Sequence, residues 1–118
     1  MAVTENRTLP SEVLDEHLAL LANDQRRAIV EILAEENRSH QVRLLAGWTA
    51  AEERGVPLDA LPEEAVERME VKLHHVHLPK LDEAGIVEYD AEENRVAPGA
   101  EMATARRLVE SLRSARRN

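Results

Sequence analysis

Cysteine is absent from this chain of 118 residues, which excludes a disulfide framework, a thiolate metal site and a cysteine nucleophile. Phenylalanine is absent as well, and Trp48 and Tyr89 are the only aromatic residues. A large core normally holds several aromatic rings; this one has to be assembled from Leu, Val, Ile, Ala and Met. Lysine is scarce: Lys72 and Lys80 are the only two, and every other basic residue is arginine. No apolar run approaches the roughly 20 residues that span a bilayer, and residues 1–10 lack the apolar stretch of a secretory signal. These absences lead us to expect a cytoplasmic protein without membrane contact. Also missing are a glycine-rich phosphate loop, a Gly-x-Ser-x-Gly elbow and a His-Glu-x-x-His motif. No enzyme and no cofactor are therefore expected.

What the chain has in excess is carboxylate. Acidic residues number 23 against 15 basic ones, for a net charge of −8. An acid-rich, lysine-poor composition resembles that of haloarchaeal proteins, which work in concentrated salt where repulsion between carboxylates is screened within a few ångströms. An ordinary acidic mesophilic protein is the competing reading. Hydrophobic residues make up 43%, too many for a disordered chain. The length suits one domain with one core.

Residues 1–10 are polar and predict a flexible arm. Ser11 is a good cap for a first helix carrying Val13, Leu14, His17, Leu18 and Leu21 at helical spacing. Asn23 or Asp24 can start a second, with Ala28, Ile29, Ile32 and Leu33 as its buried stripe. Ser39 can cap a third, which fades at Arg54-Gly55. Pro62 suits the first turn of a fourth, where Val66, Met69, Leu73 and Val76 form a stripe. Pro79 predicts a kink, with the helix running on to Gly85 as its C-terminal cap. Ile86 to Asp90 and Arg95 to Ala97 then read as a two-stranded hairpin, and a last helix runs from about Ala100 to Arg116.

The expected fold is mainly α with a small β-hairpin wing, a winged helix-turn-helix over residues 11–99, followed by a C-terminal helix over residues 100–118. Two stretches sharpen this reading. Leu21-Ala22-Asn23-Asp24-Gln25-Arg26-Arg27-Ala28-Ile29-Val30-Glu31-Ile32-Leu33 resembles the opening helix of ArsR-type repressors. His77-Leu78-Pro79-Lys80-Leu81-Asp82-Glu83-Ala84-Gly85-Ile86-Val87 resembles the end of their recognition helix. The block His74 to Leu81 is similar to a haloarchaeal family of uncharacterised winged-helix domains. The resemblance covers roughly residues 11–97. It implies a regulator that binds double-stranded DNA, and a homodimer built on terminal helices.

On that reading, Arg68, Lys72 and His75 lie outward on the fourth helix as DNA contacts, with Arg43, Lys80 and Arg95 as flanking contacts. A solvated face with a Glu64–Arg68 pair is the plain alternative. Arg26 and Arg27 are weaker phosphate candidates, with an Arg27–Glu31 pair as their alternative. Glu70, His74 and His77 share one side of an ideal helix and are candidate metal ligands; a structural role for the histidines competes with this. Met102, Ala105, Leu108, Val109 and Leu112 form the stripe expected at the dimer interface, and residues 100–118 carry a net charge of +3. Trp48 is expected in the core. Two features count against DNA. The turn from Gly55 to Leu61 is long for a helix-turn-helix, and residues 62–93 hold ten carboxylates and three basic residues, net −7. An acidic winged-helix module that binds protein therefore remains open.

If the acidic surface is an adaptation to salt, the melting temperature should rise from dilute buffer to molar potassium chloride. A melting temperature unchanged or lowered by salt would contradict that origin.

Overall fold

The computed structural model describes residues 10–117, with side-chain surroundings to residue 116. The arm expected over residues 1–10 lies, Pro10 aside, outside the described residues. Among the described residues six α-helices and three strands follow in the order α1 Ser11–Leu20, α2 Asp24–Glu35, β1 His40–Gln41, α3 Val42–Arg54, α4 Glu63–Lys72, α5 Leu78–Glu83, β2 Val87–Asp90, β3 Arg95–Pro98 and α6 Met102–Arg117. A short 3-10 turn, Leu58–Ala60, lies between α3 and α4, and a π-helical turn, Leu73–His77, joins α4 to α5. The strands form one antiparallel sheet in the order β1-β3-β2. The protein is thus mainly helical with a small sheet, the winged-helix arrangement expected. Among the described residues no helix is long and apolar enough to cross a membrane.

Several local signals behave as their chemistry dictates, but Ser11 is the first residue of α1 and caps nothing, Pro10 standing at the N-cap. The Asn23 side-chain oxygen accepts the Arg26 backbone N–H at 3.0 Å and starts α2. Gly55 and Gly85, at φ 67° and 78°, take the left-handed turns that end α3 and lead from α5 into β2. The third strand is an addition to the expected hairpin. Its two residues pair with β3 in the register His40↔Val96 and Gln41↔Arg95. Ser39 caps nothing here; its hydroxyl accepts Arg95 Nε–H at 2.9 Å and its carbonyl accepts Arg95 Nη2–H at 3.2 Å. A strand this short has no periodicity of its own, and only β3 across the sheet defines it.

Aliphatic side chains do fill the core, with Leu21, Ile29, Leu33, Leu45, Leu73, Leu78, Leu81 and Ile86 fully buried. Trp48 is only half-buried, its ring meeting the edge of His40 with centroids 5.1 Å apart. On α2, Arg27, Ala28, Ile29 and Val30 are all buried. Four consecutive buried residues span more than one helix face, so α2 needs cover on two sides. One side is α3 and the other is α6.

This corrects the expectation for the C-terminal stripe. Met102, Ala105 and Val109 are buried in the core of their own chain, and Leu108 and Leu112 pack partly buried against it. The core is therefore not complete at Ala97, and these three residues are not available to a second copy. Arg113 grips both carboxylate oxygens of Glu31 on α2, its Nη2 standing 2.8 Å from Oε1. Glu31 is thus the partner of Arg113 and not of Arg27.

A second correction concerns α4 and α5. The Leu78 backbone N–H bonds to the carbonyl of Leu73, five residues back. That wide turn comes just before Pro79, where a regular helix would press the His75 carbonyl against the proline ring. It shifts the phase of the helix. Val76, expected in the buried stripe, is 40% exposed, while His77 is 4% exposed.

The end of β3 crosses the turn after α5 closely. Gly99 N–H donates to the Ile86 carbonyl at 2.8 Å, and Glu101 N–H to that of Gly85 at 2.9 Å. A β-carbon at Gly99 would stand 2.5 Å from the Gly85 carbonyl oxygen, a backbone atom that cannot swing aside. Gly99→Ala should therefore cost about 2 kcal/mol or more and lower the melting temperature; wild-type thermal unfolding would refute this close approach.

Candidate nucleic-acid interface

On α4 the core-facing residues are Ala65 and Met69, continued by Leu73 in the π turn. The opposite side carries Glu64, Glu67 and Val71, while Arg68 and Lys72 stand beside the buried stripe and line a shallow cavity with Gln25, Glu53, Ala65 and Met69; all five are exposed, and His75 is exposed just beyond. Among the described residues Arg68 and Lys72 make no ion pair, so the Glu64–Arg68 pair of the plain alternative is not formed. Lys80 is likewise exposed on α5. These four candidate contacts lie on the continuous α4–α5 segment.

The other two candidates are engaged elsewhere. Arg43 on α3 holds Glu63 and reaches Glu70 at 3.0 Å, tying α3 to α4. Arg95 braces β3 against Ser39, as described above. Arg26 and Arg27 also do structural work. Arg26 Nε–H donates to the Leu20 carbonyl at 2.6 Å. Arg27 donates to the Leu21 carbonyl at 2.8 Å and pairs with Asp24. Near the wing tip Glu92 and Glu93 are exposed, with Asp90 Oδ1 accepting the Glu93 N–H at 3.1 Å.

Glu70, His74 and His77 are not brought together, because the π turn rotates His77 inward. His74 Nε2 is 3.9 Å from Glu70, and its Nδ1 shares a 2.5 Å hydrogen bond with the Tyr89 hydroxyl on β2. Among the described residues no three acidic or histidine side chains are grouped to hold a metal. The metal candidate is therefore withdrawn.

His77 instead ends a chain of polar contacts that pattern reading missed. Arg26 Nη1 lies 3.2 Å from His77 Nδ1, and His77 Nε2 lies 2.8 Å from Gln25 Oε1. Arginine only donates, so Nδ1 accepts and Nε2–H donates to the glutamine oxygen. Gln25 Nε2 donates in turn to Glu53 on α3 at 3.0 Å. The chain links the first turn of α2, the end of α3 and the π turn. It spans up to 52 residues of sequence, so no local motif announces it. Burial, with the charges of Arg26, Lys72 and Lys80 added, pushes His77 down to about 4 from its ordinary 6.5.

The fold is that of a small winged-helix domain, with Arg68, Lys72 and Lys80 exposed on the α4–α5 segment that precedes the wing. The model of a family described as Domain of unknown function (DUF7344) matches residues 18–97, and the chain belongs to that family. No curated protein and no solved structure matches the chain.

The depressed His77 gives a pH test. The unfolded chain takes up a proton at this residue near pH 6.5 and the folded chain does not, so stability falls as pH drops from about 6.5 towards 4. His77→Gln should remove about 1–2 kcal/mol of the loss seen between pH 7 and 5. Identical pH dependence in parent and variant, measured by denaturant unfolding, would show that His77 is not held neutral.

Proposed function

We propose that this protein is a DNA-binding winged-helix transcriptional regulator of a haloarchaeal cytoplasm, without enzymatic activity. The observation that carries the reading is the exposed group of Arg68 and Lys72 on α4 and His75 just beyond it, with no ion pair at Arg68 or Lys72 among the described residues. In helix-turn-helix proteins the helix in this place enters the major groove. Concentrated salt weakens the objection from charge, because phosphate attraction is then screened for any protein and base-edge contacts carry more of the specificity.

One observation favours a second reading, a module that binds protein and not DNA. Arg43 is neutralised by Glu63 and Glu70, and the wing turn exposes Glu92 and Glu93. Pairing of two chains stays part of the proposal, although the apolar stripe of α6 on which it was to be built packs against its own core, Leu108 and Leu112 included.

Selection from a random-sequence duplex library, from dilute to molar potassium chloride, tests the reading. An enriched sequence is expected, and Arg68→Ala or Lys72→Ala should weaken its binding and lower the salt slope by about 1 each where the lost contact is to phosphate. A two-fold symmetric enriched site would support the pair of chains, and a single asymmetric half-site would count against it. No enriched sequence at any salt concentration would overturn the regulator in favour of the protein-binding module.

A further inference from the structure

Val71 is 57% exposed, more than Val76, Leu58 or Leu44, the other exposed large apolar side chains among the described residues. It stands two residues from Met69 and from Leu73, which are 6% and 0% exposed. Two residues are about 200° of helix turn, so Val71 points away from the core. Arg68 precedes it by one turn, Lys72 follows it directly, and His75 lies one turn on. Glu67 lies one turn before, Glu70 directly before and the half-buried His74 one turn on, so carboxylates border Val71 as well as cations. Valine has no local reason to be there. It is a poor helix former, and an exposed interior position favours Ala, Leu or a long polar residue.

From this placement we infer that Val71 is a specificity-determining residue that reads the 5-methyl group of a thymine in the major groove. The inference rests on the DNA-binding reading above. The edges of the base pairs in that groove offer hydrogen-bond donors and acceptors, and one apolar group, the thymine methyl. An exposed apolar side chain on this helix finds its complement there and at no other base. Arg68 one turn before and the exposed histidine one turn on can bond to base edges beside it.

The test uses the full chain and the duplexes enriched from the random library. Uracil replaces thymine at one position at a time, removing only the methyl group. One such replacement in each site should weaken binding about fourfold, the scale of one buried carbon group. Val71→Ala, exposed and favourable to the helix, should melt like the parent, bind the thymine duplex about fourfold more weakly and no longer distinguish uracil from thymine. Equal binding of every uracil duplex by the parent would overturn the assignment while leaving DNA binding intact. So would a uracil penalty that persists in Val71→Ala. Failure to enrich any duplex would overturn both, and the apolar face would then belong to a protein partner.

Discussion

The carbonyl of Leu73 accepts its hydrogen bond from Leu78, five residues on, and that single wide turn decides which side chains of α4 and α5 face inward. It delivers His77 to Gln25 and Arg26 at the start of α2, and Leu78 to the core. It leaves His75 and Val76 outside. A neutral imidazole suits this place, since Arg26 supplies a donor to one ring nitrogen and Gln25 an acceptor for the other. A charged imidazole would meet Arg26 with a like charge and lose its water as well. The chain of contacts runs on to Glu53, so the helix proposed to read DNA is braced against both α2 and α3.

A second dependence is the burial of α2. Val30 and Ile29 are both inaccessible to solvent, and Arg27 is buried beside them, its charge answered by the Leu21 carbonyl and Asp24. A helix so deeply placed makes α6 a layer of the domain. Met102, Ala105 and Val109 supply the apolar contact. Arg113 and Glu31 add a partly buried two-point ion pair whose geometry orients α6. Without Phe, the core relies on close aliphatic packing, and the tight passage of Gly99 over Gly85 belongs to the same economy of space.

Charge is spent largely on internal order. Of the six basic or histidine positions put forward as DNA contacts, Arg43 links α3 to two carboxylates of α4, and Arg95 fastens β3 to the residue before β1. The cations of Arg68 and Lys72 remain exposed on α4, accompanied by Glu64 and Glu67. Such a surface has little net attraction for phosphate. Any selectivity it has must come from directional and apolar contacts, which salt screens far less than it screens unpaired charge.

The sequence by itself determined the order of the elements and most of their ends. The capping oxygen of Asn23, the left-handed glycines Gly55 and Gly85 and the rigid φ of Pro62 act on the backbone within a few residues, so neighbours in sequence suffice to read them. It also determined most of the aliphatic core and the exposure of Arg68 and Lys72, since both follow from helical periodicity. Only the tertiary structure decided that β1 exists, because two residues become a strand only through β3. Only it decided that His77 and Val76 exchange places, because an ideal 3.6-residue period carries no trace of a π turn. The home of Met102, Ala105 and Val109 was settled in the same way. An apolar stripe states that it must be covered, and the cover, α2, lies some seventy residues earlier in the chain, beyond the reach of any local pattern.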